Sequence, residues 1–342
     1  MTTSRPGPVP TGAASDWAAF GRFPSRVVFH RGYLRRLTWA LALVVAVSSF
    51  AHADKPAQRT FRSPQSGVAA LVAAVRSNDR HALRAILGVR GDRLIDSGDP
   101  VADGKARDAF VAAYDHAHHI ETAGKTQATL VIGENRWPMP IPLVKSRGAW
   151  HFDTQRGERE ILDRRIGRNE LSTIEVCLAI VDAEREYATE DQNGNGVLEY
   201  ARRFVSTPGK RDGLYWESAP GQPPSPLGPL LAKAAKGGYA SDDGLASSPY
   251  HGYYYRILTR QGRSAPGGAY DYLVRGKLIG GFAVVAYPAR YGASGVMTFI
   301  VNHEGVVYQK DLGKNTARLA AAISTFNPDA TWKRARVPSP VS

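Results

Sequence analysis

The hydrophobic period changes along the chain, and this limits the fold more than any other feature. From Ser63 onward apolar residues recur at helical spacing. Ser63-Pro64 offers an N-cap followed by proline at the first helical position, and Val68, Leu71, Val72 and Val75 follow three and four apart. Asn78 and Asp79 open a second short helix carrying Leu83, Ile86 and Leu87, which Gly88 stops. A third helix is expected from Asp103 to His118, with Phe110, Val111 and Tyr114 on one face. The pattern then shortens. Ala128 to Gly133 reads as a strand, and Gly148 to Asp153 as another. Between them Pro138, Pro140 and Pro142 alternate, which leaves one edge without donors and places this ribbon at a sheet edge.

A long helix is expected from Asn169 to Thr189, with Leu171, Ile174, Cys177, Leu178 and Val181 on its buried face. It breaks at Asp191 to Gly196. A Pro/Gly-rich connector from Ser218 to Pro229 and a short helix from Leu227 to Lys236 lead into strands at Tyr253–Thr259, Leu278–Tyr287, Gly295–Asn302 and Val306–Lys310. A last helix follows at about Asn315–Thr325. Apolar side chains occur at both parities of the third strand (Val296 and Ile300 against Phe299 and Val301), which suits a sheet covered on both faces. The class is therefore α+β: N-terminal helices with a curved antiparallel sheet, then a long helix and a C-terminal antiparallel sheet.

Residues 31–53 carry the signs of an export signal. Arg31, Arg35 and Arg36 precede an apolar run from Trp39 to Phe50, and Ala51-His52-Ala53 is a small-residue cleavage pattern. The run is too short for a bilayer core, which takes about 20 residues. Cleavage after Ala53 would place the protein in the periplasm or outside the cell, with no stable transmembrane segment afterwards. The preceding 30 residues are polar and rich in Pro, Gly and Ser, as a translation start set upstream of the native one would produce. The expected organisation is an extension at 1–30, a signal peptide at 31–53, an N-terminal α+β domain at 54–165, a C-terminal helix-and-sheet domain at 166–332, and a disordered tail at 333–342.

Charge sets the expected partners. The chain carries 44 Lys/Arg and 31 Asp/Glu. Residues 1–53 hold six of the former and one of the latter, so the remainder keeps 38 basic and 30 acidic side chains, net +8. Such a surplus favours an envelope component or anionic surface, and outside the cytoplasm nucleic acid is not an expected partner.

The motif inventory excludes several chemistries. A single cysteine, Cys177, rules out an intramolecular disulfide and a multi-cysteine zinc site; on the long helix it reads as a small core residue. There is no G-x-S-x-G, no H-E-x-x-H and no phosphate loop, and Ser294 between glycines reads as a turn. Asp182, Glu184 and Glu186 read as an exposed charged face. Asp115-His116-Ala117-His118-His119, if helical, would put His116 and His119 on one face, the start of a zinc or copper site or simply a polar helix end.

Two candidate sites remain. In Asp191-Gln192-Asn193-Gly194-Asn195-Gly196-Val197-Leu198-Glu199 the oxygen-bearing residues Asp191, Asn193 and Asn195 stand at positions 1, 3 and 5 of a calcium loop, with Gly196 at the sharp turn. The Val197 carbonyl and the Glu199 side chain could complete a Ca²⁺ site, with Asp212 as a remote donor, but position 12 is Arg202. A turn built from Asn and Gly needs no metal. The second candidate is a ligand groove. Thirteen of the 15 tyrosines lie from Tyr187 onward, and Tyr250, His251, Tyr253, Tyr255, Tyr270 and Tyr272 could stack sugars or a peptide, unless they are half-buried strand positions.

Several stretches resemble a known family. They are Phe61-Arg62-Ser63-Pro64, Ser97-Gly98-Asp99-Pro100-Val101, Arg165-Ile166-Gly167-Arg168-Asn169-Glu170, Ser206 to Trp216, Pro249-Tyr250-His251-Gly252-Tyr253-Tyr254, and Gly280-Gly281-Phe282-Ala283 through Asn302. Together they resemble the bacterial Domain of Unknown Function 2950 family over about residues 58–332. The resemblance implies an exported bacterial protein and carries over no catalytic residues. At fold level the N-terminal half is similar to cystatin-like or nuclear-transport-factor-2-like domains. The C-terminal half is similar to the globular part of pilins and pseudopilins, without their very hydrophobic helical anchor. The expected function is a non-enzymatic binding or assembly factor of the envelope. The alternatives are a periplasmic hydrolase of peptidoglycan or glycan that uses carboxylates with His251 or His303, and a pilin-like structural protein.

Overall fold

Ser63 and Asp79 start the first two helices, as their side chains suggest. The computed structural model describes residues 58–336 apart from 220, 240–244 and 246. The expected signal peptide, the extension before it and residues 337–342 lie outside the described residues. In α1 (Pro64–Arg76) Ser63 and Ser66 form a reciprocal capping box. In α2 (Arg80–Leu87) the Asp79 carboxylate accepts the Ala82 N–H, and Gly88, at φ 70°, ends the helix. A short α3 (Asp92–Ile95) leads to α4 (Pro100–His116), whose N-cap is Asp99.

The first sheet comprises β1 (His118–Ala123), β2 (Gln127–Ile132), β3 (Trp137–Pro138), β4 (Leu143–Ser146) and β5 (Ala149–Phe152). Its order is β1-β2-β4-β5, all antiparallel, with β3 also paired to β2. Pro138 sits in the two-residue β3, opposite Val131, where the missing donor is tolerated. Leu130, Leu143 and Phe152 meet Val68, Leu71 and Ile86 of the helices in one core. The expected helix to His118 is two residues too long. The chain turns extended at Ala117 and His118 opens β1, so His116 and His119 share no helical face.

The long helix α5 (Thr154–Tyr187) has 34 residues, about 50 Å at 1.5 Å per residue. It begins 15 residues before the expected start at Asn169 and runs unbroken through the expected 165/166 boundary. Its first half is dense in charge, including the Glu160–Arg164 pair one turn apart, so its apolar stripe is thin. Ile174, Cys177 and Val181 are buried as expected, whereas Leu171 is 49% exposed.

After α6 (Gly228–Lys236) come β6 (Tyr253–Leu258), a small pair β7 (Arg260–Gln261) and β8 (Tyr270–Asp271), and a hairpin of β9 (Leu273–Val274) and β10 (Lys277–Leu278). The second large sheet adds β11 (Ala283–Pro288), β12 (Met297–Asn302) and β13 (Tyr308–Asp311). Then follow α7 (Thr316–Ala322) and β14 (Lys333–Arg334), and the sheet order is β14-β13-β12-β11-β6. The expected strand Leu278–Tyr287 is two strands, because Gly281 takes φ 137°, a region open to glycine. Residues 333 and 334, expected in the tail, pair with Gln309 and Tyr308. Ala283 to Ala286 are all buried, and since neighbours on a strand point to opposite faces, both faces are covered. Among the described residues no helix is long and apolar enough to cross a membrane.

Candidate functional site

A helix that packs on a core normally buries an apolar stripe. Along α4 the only buried residue is Asp103, whose carboxylate accepts the Ser97 N–H at 2.9 Å. Phe110, Ala113 and Tyr114 pack half-buried against the core, and polar bonds hold the helix at its two ends. At the start, the buried Asp99 carboxylate accepts Ala102 N–H (2.9 Å), Gly252 N–H (2.8 Å) and the Tyr239 hydroxyl (3.0 Å). At the end, Gly133 N–H bonds to the carbonyls of Ala113 (3.2 Å) and Ala117 (2.8 Å). The middle of α4 therefore spans a cleft of about 1070 Å³, bounded also by α1, α2, α3, β2 and α5.

The cleft walls are apolar. Leu71, Leu83, Phe110, Ile132, Trp137 and Ile161 are among the residues that form them. Phe110, Trp137 and Ile161 pack against the core and remain half-buried where they line the cleft. The polar lining is uneven. Arg107 from α4 and Arg164, Arg165 and Arg168 from α5 line it together with Asp103, whereas the exposed His116, paired with Glu134 (2.9 Å), stands two and a half turns beyond Arg107 on α4. Arg165 is anchored by donating to the carbonyls of Arg93 and Leu94, each at 2.8 Å. Burial pulls its pKa below the ordinary arginine value, and the nearby Asp103 carboxylate acts against that shift.

Sequence reasoning missed this cleft. Its one usable signal is the short apolar stripe of Phe110 and Tyr114 on a helix otherwise rich in small and polar residues.

The tyrosine groove is a correction. Tyr250, Tyr253, Tyr255 and Tyr272 are 4% exposed or less, so they are core residues and line no open groove. Their hydroxyls are used internally. Tyr253 donates to the Met297 carbonyl at 3.0 Å, and Tyr272 to Gln261 Oε1 at 2.7 Å. Burial pushes the phenols of Tyr253 and Tyr255 well above the usual value. Tyr270 alone of the five tyrosines is exposed. His251 is half-buried beside the rings of Tyr239 and Tyr250, and burial pulls its pKa down. His303 packs edge-on to Tyr272 and Phe282 with its Nδ1 unbonded. Among the described residues neither ring is bonded to a hydroxyl or carboxylate.

The Asp191 loop does converge. Glu199 Oε1 accepts from both Asn193 Nδ2 (2.8 Å) and Asn195 Nδ2. Asp191 accepts the N–H groups of Asn195 (3.0 Å) and Gly196 (2.7 Å), and the Gly196 bond foremost holds its carboxyl below the usual range. Lys277 Nζ lies 2.7 Å from Asn195 Oδ1. Asn193, Asn195, Glu199 and Lys277, with Asp212, Arg202 and Arg203, line a 380 Å³ recess. Asp191, Gly196 and Val197 do not line it, and Glu199 Oε2 accepts the Leu278 N–H at 3.3 Å. Calcium takes six to eight oxygens around one centre. Here the lysine ammonium already sits on one of them and two arginines share the recess, so the donor set as arranged does not fit the ion. Among the described residues no three His, Cys, Asp or Glu side chains gather as a metal set.

The remaining candidates are structural. Cys177 is fully buried and its thiol is pushed up to about 12 by desolvation, as suits a core residue. Ser294 Oγ closes a turn by accepting the Arg290 N–H at 2.9 Å. Glu184 corrects the expected exposed face. Residues two apart on a helix point to opposite sides, and Glu184 is fully buried between the exposed Asp182 and Glu186. The histidine pentapeptide is dispersed: Asp115 bonds to Arg76, His116 to Glu134 and His119 to Glu121, while His118 stacks on Tyr114.

A family model described as "Protein of unknown function (DUF2950)" matches residues 58–335. No curated protein and no solved structure matches the chain. The chain belongs to the DUF2950 family.

Proposed function

We propose that this DUF2950 protein is a non-enzymatic binding module, and that its N-terminal half takes up an apolar small molecule in the α4 cleft. One observation carries the reading: a cleft of about 1070 Å³ with apolar walls and half-exposed Phe110 and Trp137. Ligand sites typically enclose about 300–1,000 Å³, lined by hydrophobic and aromatic side chains with a few polar groups. The leucines and aromatics of this wall would gain burial from an apolar guest, at about 25 cal/mol per Å² removed from water.

We place the protein in the periplasm or outside the cell, following the export signal at 31–53 and cleavage after Ala53. An envelope component is then the natural source of the guest. The helices-on-sheet arrangement of the N-terminal half, read as cystatin-like or nuclear-transport-factor-2-like, suits such a cavity, and this likeness is one of shape only.

Titration with an apolar fluorescent probe, N-phenyl-1-naphthylamine, tests the reading. Saturable binding is expected, and Ala113→Trp, which puts an indole into the cleft, should weaken it about tenfold without loss of the folded spectrum. Absence of saturable binding, or binding unchanged by Ala113→Trp, would overturn the reading.

A further inference from the structure

We infer that the guest of the α4 cleft is an amphiphile: a single hydrocarbon chain ending in an anionic head, a carboxylate or a phosphate monoester, held by the arginines of α4 and α5. The inference rests on the proposed apolar-ligand reading and adds the class of ligand. On α5 Arg168 stands four residues from Arg164 and three from Arg165, and all three line the cleft. Arg107 joins them from α4, one turn beyond Asp103, whose carboxylate is close enough to Arg165 to act on its charge. Four arginines thus line the cleft, and Asp103 and Asp96 are the carboxylates that act on Arg165.

Existing bonds occupy two of the four arginines and leave two open. Arg164 pairs with the exposed Glu160 at 2.7 Å, and Arg165 spends its donors on the Arg93 and Leu94 carbonyls. Arg107 and Arg168 make no ion pair among the described residues. A guanidinium offers a planar fork of donors that matches carboxylate and phosphate oxygens two at a time. The remainder of the wall is hydrocarbon, and its other polar end, at His116 and Glu134, is about 13 Å along α4 from Arg107 at 1.5 Å per residue. An apolar chain with one charged end satisfies both regions. A neutral chain would leave the arginines without a partner, and a polyanion would leave the apolar wall uncovered.

The test is displacement of N-phenyl-1-naphthylamine from the full chain by three C16 compounds below their aggregation concentrations: hexadecanoate, hexadecyl phosphate and hexadecanol. Hexadecanoate, hexadecyl phosphate or both should displace the probe at about tenfold lower concentration than hexadecanol, and which of the two is stronger identifies the head. The advantage should shrink as salt is raised. In Arg107→Gln/Arg168→Gln the three compounds should become equal while probe binding itself persists. Equal displacement by hexadecanol and both anions in the unaltered chain would overturn the inference and leave the apolar reading standing. If the probe does not bind, the reading beneath it fails. An anion preference that survives the double substitution would also overturn the assignment to these arginines.

Discussion

Asp99 is the side chain on which the position of α4 most depends, and replacing it should have a measurable cost. Its carboxylate is fully buried and serves two parts of the fold at once. It caps α4 through Ala102 N–H at 2.9 Å, and it accepts Gly252 N–H, 153 residues away, at 2.8 Å. In Asp99→Ala the lost cap costs about 1 kcal/mol. The buried Gly252 N–H, left without an acceptor, costs a further 1–3 kcal/mol or so. Tyr239 is half-buried and can turn to water, so it adds little. The sum is about 2–4 kcal/mol, which in a domain of this size corresponds to a melting midpoint about 5–12 °C lower. Asp99→Asn sharpens the test. Asparagine caps helices as well as aspartate, yet in either amide orientation one N–H donor now faces another, so most of the loss should remain. Thermal unfolding by circular dichroism reads both variants. An Asp99→Ala protein within about 0.5 kcal/mol of the parent would mean that Asp99 holds α4 no more firmly than a surface residue does, because surface substitutions commonly fall in that range.

Other consequences follow from single contacts. A Cβ on Gly157 would lie 2.4 Å from the Pro140 carbonyl carbon and oxygen, so Gly157→Ala should cost about 3 kcal/mol in urea unfolding by forcing α5 off the proline ribbon; a change under about 0.5 kcal/mol would contradict that packing. Glu184 is buried with one oxygen unbonded, and desolvation raises its carboxyl well above 4.5. A raised folded value means its stabilising share is complete below about pH 4.5 and is lost as pH climbs through the folded value. Glu184→Gln should therefore gain on the parent from pH 5 to pH 8, and a constant gap between them in urea midpoint would refute the assignment. With Lys277 seated on Asn195 Oδ1, a few millimolar Ca²⁺ against EDTA should leave the melting midpoint unchanged. An upward shift that Asp191→Ala abolishes would reinstate the loop as an ion site.

Much of the fold was legible because its signals are local. Ser63-Pro64 and Asp79 announce helix starts through their own side chains, and the paired parities of β12 announce a sheet covered on both faces. The start of α5 was hidden because its first turns carry Arg156, Glu158, Arg159 and Glu160, and a charged helix gives only a thin apolar stripe. The tyrosine-rich strands show where composition misleads. Aromatics on a pleated surface can stack a ligand or fill a core, and here four of the five in question fill the core. Glu184 shows the reverse error, since charge suggests exposure and spacing says otherwise. The cleft was least legible, because it depends on what does not touch. It exists because Asp99 meets Gly252 and Gly133 meets the end of α4, contacts that no short-range pattern encodes.

A hydrocarbon guest is proposed between α4 and the first sheet. A crystal structure of the chain grown with hexadecanoate tests it most directly. Continuous chain density is expected against Phe110, Ile132 and Trp137, with the carboxylate within hydrogen-bond distance of Arg107 or Arg168. A cleft closed by α4 settling onto β2, or the chain bound elsewhere with the cleft empty, would contradict it.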